Sequence, residues 1–113
     1  DPGARFENMV ASHLLKYCDF IEETEGYPME LRYLRDTDRR EVDFVVLKKG
    51  SPLFAVECSL SEKNVDSVVS YFASRLQIPR YYHVHMGTKD YKHATLPLRV
   101  CPFHRFAEEV KLP

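Results

Sequence analysis

The sequence predicts an α/β domain in which helices flank a mixed β-sheet. An apolar stripe at helical spacing opens the chain, and three short apolar segments separated by turn residues follow it. A second helical pattern comes next, and a third closes the chain. With 113 residues the chain has the size of one domain, and we expect a single domain over residues 1–113.

The first helix is expected from about Arg5 to Phe20, because Phe6, Val10 and Leu14 recur at helical spacing. The stretch from Asp19 to Pro28 is polar and contains a glycine, so it is predicted to be a loop.

Three strands should follow this loop. The first is Met29–Arg35, where apolar and polar residues alternate, and the others surround Asp43 and Glu57. The segment Leu47–Leu53 between the last two contains Gly50 and is expected to be a hairpin loop.

The second half of the chain completes the predicted order α-β-β-β-α-β-β-α. Ser61 is a suitable N-cap for the second helix, since its hydroxyl can accept a hydrogen bond from a first-turn amide. The later elements are a strand over Arg80–Met86, a loop over Gly87–Thr95, a short strand at Leu98 and Val100, and a helix over Pro102–Leu112.

Asp43 and Glu57 each lie in the middle of an apolar strand. A hairpin centred on Gly50 would place Val45 opposite Ala55, Leu47 opposite Leu53, and Asp43 opposite Glu57. Such partners lie roughly 4.5–5.5 Å apart at Cβ, where like charges destabilise the sheet. A divalent cation between the two carboxylates would remove that cost. A register slip of one residue would instead put the acids on opposite faces. In a further alternative, one acid lies at the solvated end of its strand and simply accepts hydrogen bonds.

Composition and charge exclude several function classes. The net charge is −1, and no apolar run approaches the roughly 18 residues that span a bilayer. A dedicated nucleic-acid binder would be clearly basic. The three cysteines are widely spaced in apolar sequence, which predicts free thiols, a reducing cytosol and a cytoplasmic protein.

Positive charge is nevertheless concentrated near the predicted hairpins. Arg39 and Arg40 precede the Asp43 strand and Lys48 follows it, so these three residues are candidate phosphate ligands. A solvated hairpin end explains the same cluster equally well.

The acidic residues also carry a resemblance. With Glu7 on the first helix, Asp43 on the second strand and Glu57 on the third, the order resembles the restriction-endonuclease-like core, α-β-β-β-α-β, of the PD-(D/E)XK nucleases. More narrowly, Arg5-Phe6-Glu7-Asn8, Glu41-Val42-Asp43-Phe44 and Val56-Glu57-Cys58 resemble the C-terminal domain of unknown function carried by many prokaryotic AAA-type ATPases.

The resemblance implies an accessory domain behind a P-loop ATPase. The chain has no phosphate-binding loop of its own, so ATP binding would belong to the parent protein, of which this chain would be a C-terminal fragment. The resemblance also implies that Glu7, Asp43 and Glu57 would hold Mg²⁺ or Mn²⁺ in an active member, and that the partners would be DNA, RNA or another protein, with no membrane.

The chain departs from the active nucleases at one position. These carry a lysine two residues after the third acid, where this chain has Ser59. A hydroxyl brings no positive charge, and losing such a contribution costs on the order of 10²–10³ in rate. Lys63 is a candidate substitute, although a solvated first-turn lysine is the simpler interpretation.

Two functions follow. The first is a catalytically weak or inactive binding module, and the second is a Mg²⁺- or Mn²⁺-dependent phosphodiesterase that uses Glu7, Asp43 and Glu57.

Other polar residues are assigned no chemistry. His83 and His85 lie on one face of a predicted strand, but a zinc site would need two more ligands, so a polar strand face is expected. Cys58 should point to the other face as a packing residue. Ser59 has no base that spacing alone can identify.

Overall fold

The computed structural model describes all 113 residues as three helices and six strands. The helices are α1 (Pro2–Glu25), α2 (Asp66–Ala73) and α3 (Phe103–Val110). The strands are β1 (Met29–Arg35), β2 (Glu41–Lys48), β3 (Ser51–Cys58), β4 (Tyr81–His85), β5 (Tyr91–Lys92) and β6 (Leu98–Pro102). No helix combines the length and the apolar character needed to cross a membrane.

The strands form one mixed sheet in the order β1-β2-β3-β4-β6-β5. β1, β2 and β3 form an antiparallel meander, whereas β3, β4 and β6 run parallel. The short strand β5 pairs antiparallel with β6 at the far edge and lies inside the segment predicted as a loop. The mixed α/β architecture predicted from the sequence is therefore confirmed.

Helices cover both faces of the sheet. On one face, α1 and α3 pack on a core that includes Val10, Leu14, Phe54 and Phe106. On the other face, α2 packs through Val69 and Phe72 on a second buried cluster. Deletion of a large core side chain of this kind typically costs about 2–5 kcal/mol.

Helix α1 is longer than predicted at both ends. The side chain of Asp1 accepts a hydrogen bond from the Gly3 amide at 2.9 Å, which caps the N-terminus. The helix ends at Gly26, which adopts φ 77° and donates its amide to the Glu22 carbonyl at 3.0 Å. The loop predicted from Asp19 is therefore wrong, because its polar residues form the solvated last turns of the helix.

Helix α2 begins later than predicted. Its N-cap is Val65, which makes no side-chain capping bond, so the assignment of Ser61 as N-cap is wrong. The intervening residues 59–65 form an irregular segment at the ends of β3 and β4. The helix ends at Ala73, and Leu76 beyond its end is exposed.

The β2–β3 hairpin is tighter than the predicted seven-residue loop. Lys49 and Gly50 alone form the turn, with φ 52° and 81°, as a type I′ turn requires. Val45 lies opposite Ala55 as predicted. Leu47, however, lies opposite Pro52, because Leu53 is an extra residue in β3 that shifts the register.

A second bulge lies in β2. Arg32 lies opposite Val45 and Leu34 opposite Val42, so Tyr33 alone faces two residues of β2, Asp43 and Phe44. Val42 and Val45 consequently pack on the same face of the sheet. β-Bulges of this kind re-aim side chains, and this one lies at Asp43.

Candidate acidic cleft

The β2–β3 ladder opens beside Asp43. The last cross-strand pair at this end is Phe44 with Val56. Beyond it, the amide of Cys58 donates to Oδ2 of Asp43 at 2.7 Å. The Asp43 carboxylate thus takes the place of a backbone carbonyl of β2, and this contact holds the side chain between the two strands.

Asp43 and Glu57 form the acid pair. Glu57 is 8% exposed, whereas Asp43 is half-buried. Burial, a side-chain hydrogen bond with Asp43 and the Asp43 charge together raise the pKa of Glu57 to about 9. Glu57 therefore holds a proton at neutral pH, because burial and the Asp43 charge both disfavour its ionised form.

Glu7 approaches this pair from the first turns of α1. The residue is half-buried, next to the fully packed Phe6 on the same helix. Burial and the negative charges of Asp43 and Glu41 raise its pKa above the usual range. Glu7 therefore interacts electrostatically with Asp43 of the pair.

These acids line an open cleft of about 540 Å³, here called the acidic cleft. It lies between the first turns of α1, the open end of the β2–β3 ladder and the segment that precedes α2. Its charged lining residues are Glu7, Arg39, Arg40, Glu41, Asp43, Glu57 and Lys63. Acidic and basic side chains therefore share one surface.

The predicted phosphate ligands separate into two groups. Arg39 and Arg40 line the acidic cleft. The guanidinium of Arg40 pairs with Asp36 and Asp38 and lies 4.0 Å from the Tyr71 ring centroid, which leaves it little freedom. Lys48 lies at the other end of β2, with its amine 4.9 Å from the Tyr27 ring centroid, and is remote from the cleft.

Ser59 does not line the cleft. Its Oγ lies 2.7 Å from Nε2 of His83 and also bonds the carbonyl of Ser61. Because a hydroxyl has one proton to donate and the carbonyl can only accept, His83 donates to Ser59. The position that holds a lysine in the resembled nucleases is therefore occupied by a hydroxyl directed at β4.

Lys63 lies at the rim of the same cleft. Its side chain is exposed, and its positive charge favours the ionised forms of Glu7 and Glu57. Burial has the larger effect, so the pKa of each carboxyl remains raised. Lys63 precedes α2 and is not part of the helix. It is a cation of the cleft lining whose charge acts on both Glu7 and Glu57.

The two histidines of β4 are buried, so the expected polar strand face is wrong. Burial lowers the pKa of His83 to about 4, which keeps its imidazole neutral at pH 7. His85 accepts from the Gly87 amide at 2.9 Å and lies 2.9 Å from the Lys89 carbonyl. The hydrogen bond between Ser59 and His83 could not be predicted from local residue spacing, because the two residues lie 24 positions apart in the chain.

The acidic residues match the donor chemistry of a hard divalent cation only in part. Carboxylate oxygens are suitable ligands for Mg²⁺ or Mn²⁺. Asp43 and Glu57 contact each other, but no group of three or more His, Cys, Asp or Glu side chains is arranged to hold a metal ion. Glu7 lines the cleft without joining the pair, so the arrangement does not fit a three-carboxylate metal centre.

Fold and site together define an α/β domain with a half-open acidic cleft at the end of a β-meander. The chain belongs to a family of domains of unknown function, DUF4143, whose family model matches residues 2–106. No curated protein and no solved structure matches the chain significantly.

Proposed function

We propose that this domain is an accessory binding module of a prokaryotic P-loop ATPase, with a nuclease-like cleft that has little or no catalytic activity. The observation that carries the proposal is the combination of the acid pair with Ser59. The acidic side chains are not arranged as a three-carboxylate metal centre, and the expected lysine is replaced by a hydroxyl bonded to His83.

The charges around the cleft favour a protein partner over nucleic acid. Arg40 is paired with Asp36 and Asp38, so Arg39 and Lys63 are the lining cations without an ion-pair partner. Phosphate-backbone binding requires several such cations, and its strength falls with each one removed. We therefore expect weak, salt-sensitive binding of DNA or RNA.

The second candidate is a Mg²⁺- or Mn²⁺-dependent phosphodiesterase. Lys63 favours it, because its ammonium acts on Glu7 and Glu57 and could supply the positive charge that Ser59 does not. Removal of a group that stabilises transition-state charge typically costs about 10²–10³ in rate. The two candidates therefore differ in a measurable activity.

Nicking of supercoiled plasmid in the presence of Mn²⁺ separates these candidates. We expect wild-type protein and Glu57→Ala to be equally inactive. Ser59→Lys should also stay inactive, because residue 59 does not line the acidic cleft and the acids there do not form a three-carboxylate metal centre. Wild-type nicking that disappears in Glu57→Ala would overturn the binding-module proposal.

A further inference from the structure

The outer edge of β1 is an unpaired strand edge. The sheet order places β1 and β5 at the two edges. β5 has two residues, whereas β1 has seven, Met29–Arg35, and pairs only with β2. An edge of this length presents free backbone donors and acceptors to any strand that approaches it.

The side chains of β1 differ between its two faces. Met29 and Leu31 pack toward the α1 layer, and Tyr33, on the same face, is 70% exposed although its ring stacks on Phe44 at 6.2 Å. The opposite face carries Glu30 and Arg32, joined by an Nε–Oε2 hydrogen bond of 2.9 Å. One face of the edge is therefore apolar, and the other carries one charge of each sign.

We propose that β1 pairs antiparallel with β1 of a second copy, joining the two sheets into one across a two-fold axis at Leu31. In this register Glu30 of each copy lies opposite Arg32 of the other, and Met29 lies opposite Tyr33. The Glu30–Arg32 contacts form two cross-strand pairs of opposite charge, and the Met29–Tyr33 contacts extend the apolar face of the sheet into the second copy. Pro28, which has no amide hydrogen, ends the ladder.

The charges of β1 favour this register over the next register in which the apolar faces of the two strands still lie on the same side of the joined sheet. Centring the axis on Arg32 would place the two guanidinium groups opposite each other, which destabilises a strand pair. Charged residues on an edge normally prevent association. Here Glu30 is negative and Arg32 is positive, so two antiparallel copies of β1 place opposite charges across from each other. The same two residues therefore favour pairing with a second copy of this strand.

Sedimentation equilibrium of the wild-type domain and two charge-reversal variants tests the proposal. We expect wild type to dimerise with rising concentration up to about 100 μM. Glu30→Arg alone and Arg32→Glu alone should each stay monomeric, because each places like charges across the axis. An equimolar mixture of the two variants should dimerise, since every cross-strand pair is then again of opposite sign.

Lys16→Glu, a charge reversal on the exposed side of α1 without an ion-pair partner, serves as the matched control and should dimerise like wild type. Circular dichroism verifies that all variants fold. Wild-type protein that remains monomeric throughout this range would overturn the proposal. Single variants that dimerise as wild type does, or a mixture that stays monomeric, would overturn it equally.

Discussion

The two ends of the β2–β3 ladder have the same neighbouring strands but opposite character. At the closed end, Lys49 and Gly50 turn the chain within two residues, and the backbone ladder continues to the Lys48–Ser51 pair. At the open end the backbone ladder stops, and the Asp43 carboxylate bonds the Cys58 amide. Local backbone preference shapes the first end, whereas the carboxyl groups of Asp43 and Glu57 shape the second.

This difference shows which end of the β2–β3 ladder holds the buried ionisable side chains. The closed end satisfies its polar groups with main-chain bonds and leaves no ionisable side chain buried. The open end buries a carboxyl, Glu57, that stays uncharged at neutral pH because of its burial and its contact with Asp43. The first prediction therefore concerns the pH dependence of stability.

Glu57→Gln should have the largest effect. The pKa of Glu57 is raised to about 9, so between pH 4.5 and 9 the folded protein keeps a proton that the unfolded chain loses. The free energy of unfolding therefore falls as pH rises through this window. Glutamine removes this dependence, and we expect the variant to be more stable than wild type by about 2 kcal/mol at pH 8.

Urea denaturation at pH 4.5 and pH 8 measures this effect. Wild type and variant should nearly converge at the lower pH, where Glu57 is protonated in the folded chain and half-protonated in the unfolded chain. Parallel stability curves across the two pH values would contradict a buried, proton-holding carboxyl.

Gly50→Ala tests the closed end and should have an intermediate effect. Gly50 adopts φ 81°, a left-handed conformation that costs an L-residue about 1 kcal/mol. We expect this loss at every pH, unlike the effect at Glu57. Gly3→Ala in the first turn of α1 is the matched control and should not destabilise the protein, since its helical conformation suits alanine.

Asp43→Asn should have the smallest effect on stability at neutral pH. The amide oxygen of the new asparagine can still accept the hydrogen bond from the Cys58 amide. The negative charge that opposes ionisation of Glu57 is lost. The free energy of unfolding should therefore change by no more than about 0.5 kcal/mol. The pKa of Glu57 should fall but remain above its usual range, because burial is the largest cause of its shift. Carboxyl titration followed by infrared spectroscopy measures this shift, and an unchanged pKa would mean that the two acids do not interact.

The comparison between the two ends also shows what could be predicted from sequence. The Gly50 turn and the opposition of Val45 and Ala55 followed from local residue types and strand alternation. The bulge at Asp43 did not, because it depends on how β1 pairs with β2. The prediction that Asp43 and Glu57 face one cleft followed from the symmetry of the hairpin. That Glu7 lies apart from this pair could not be predicted, because it depends on where α1 packs.

The histidines and the second helix show a different limit. Nε2 of His83 bonds Ser59, which directly follows β3, so the polar residues of β4 are buried although local spacing predicted an exposed strand face. Ser61 has the side chain of a good N-cap, yet the helix begins at Asp66. The carbonyl of Ser61 instead accepts from the Ser59 hydroxyl, which also bonds His83 of β4, and helix-start signals do not encode that tertiary contact.

The acidic cleft is distinguished by a buried Glu57 that holds a proton at neutral pH beside Asp43. Carbon-13 NMR of the glutamate side-chain carboxyls, with Glu57→Gln used to assign the Glu57 signal, tests it most directly. The account predicts that Glu57 titrates well above neutral pH, near 9. A Glu57 carboxyl that titrates near 4.5, like a solvated glutamate, would contradict the account.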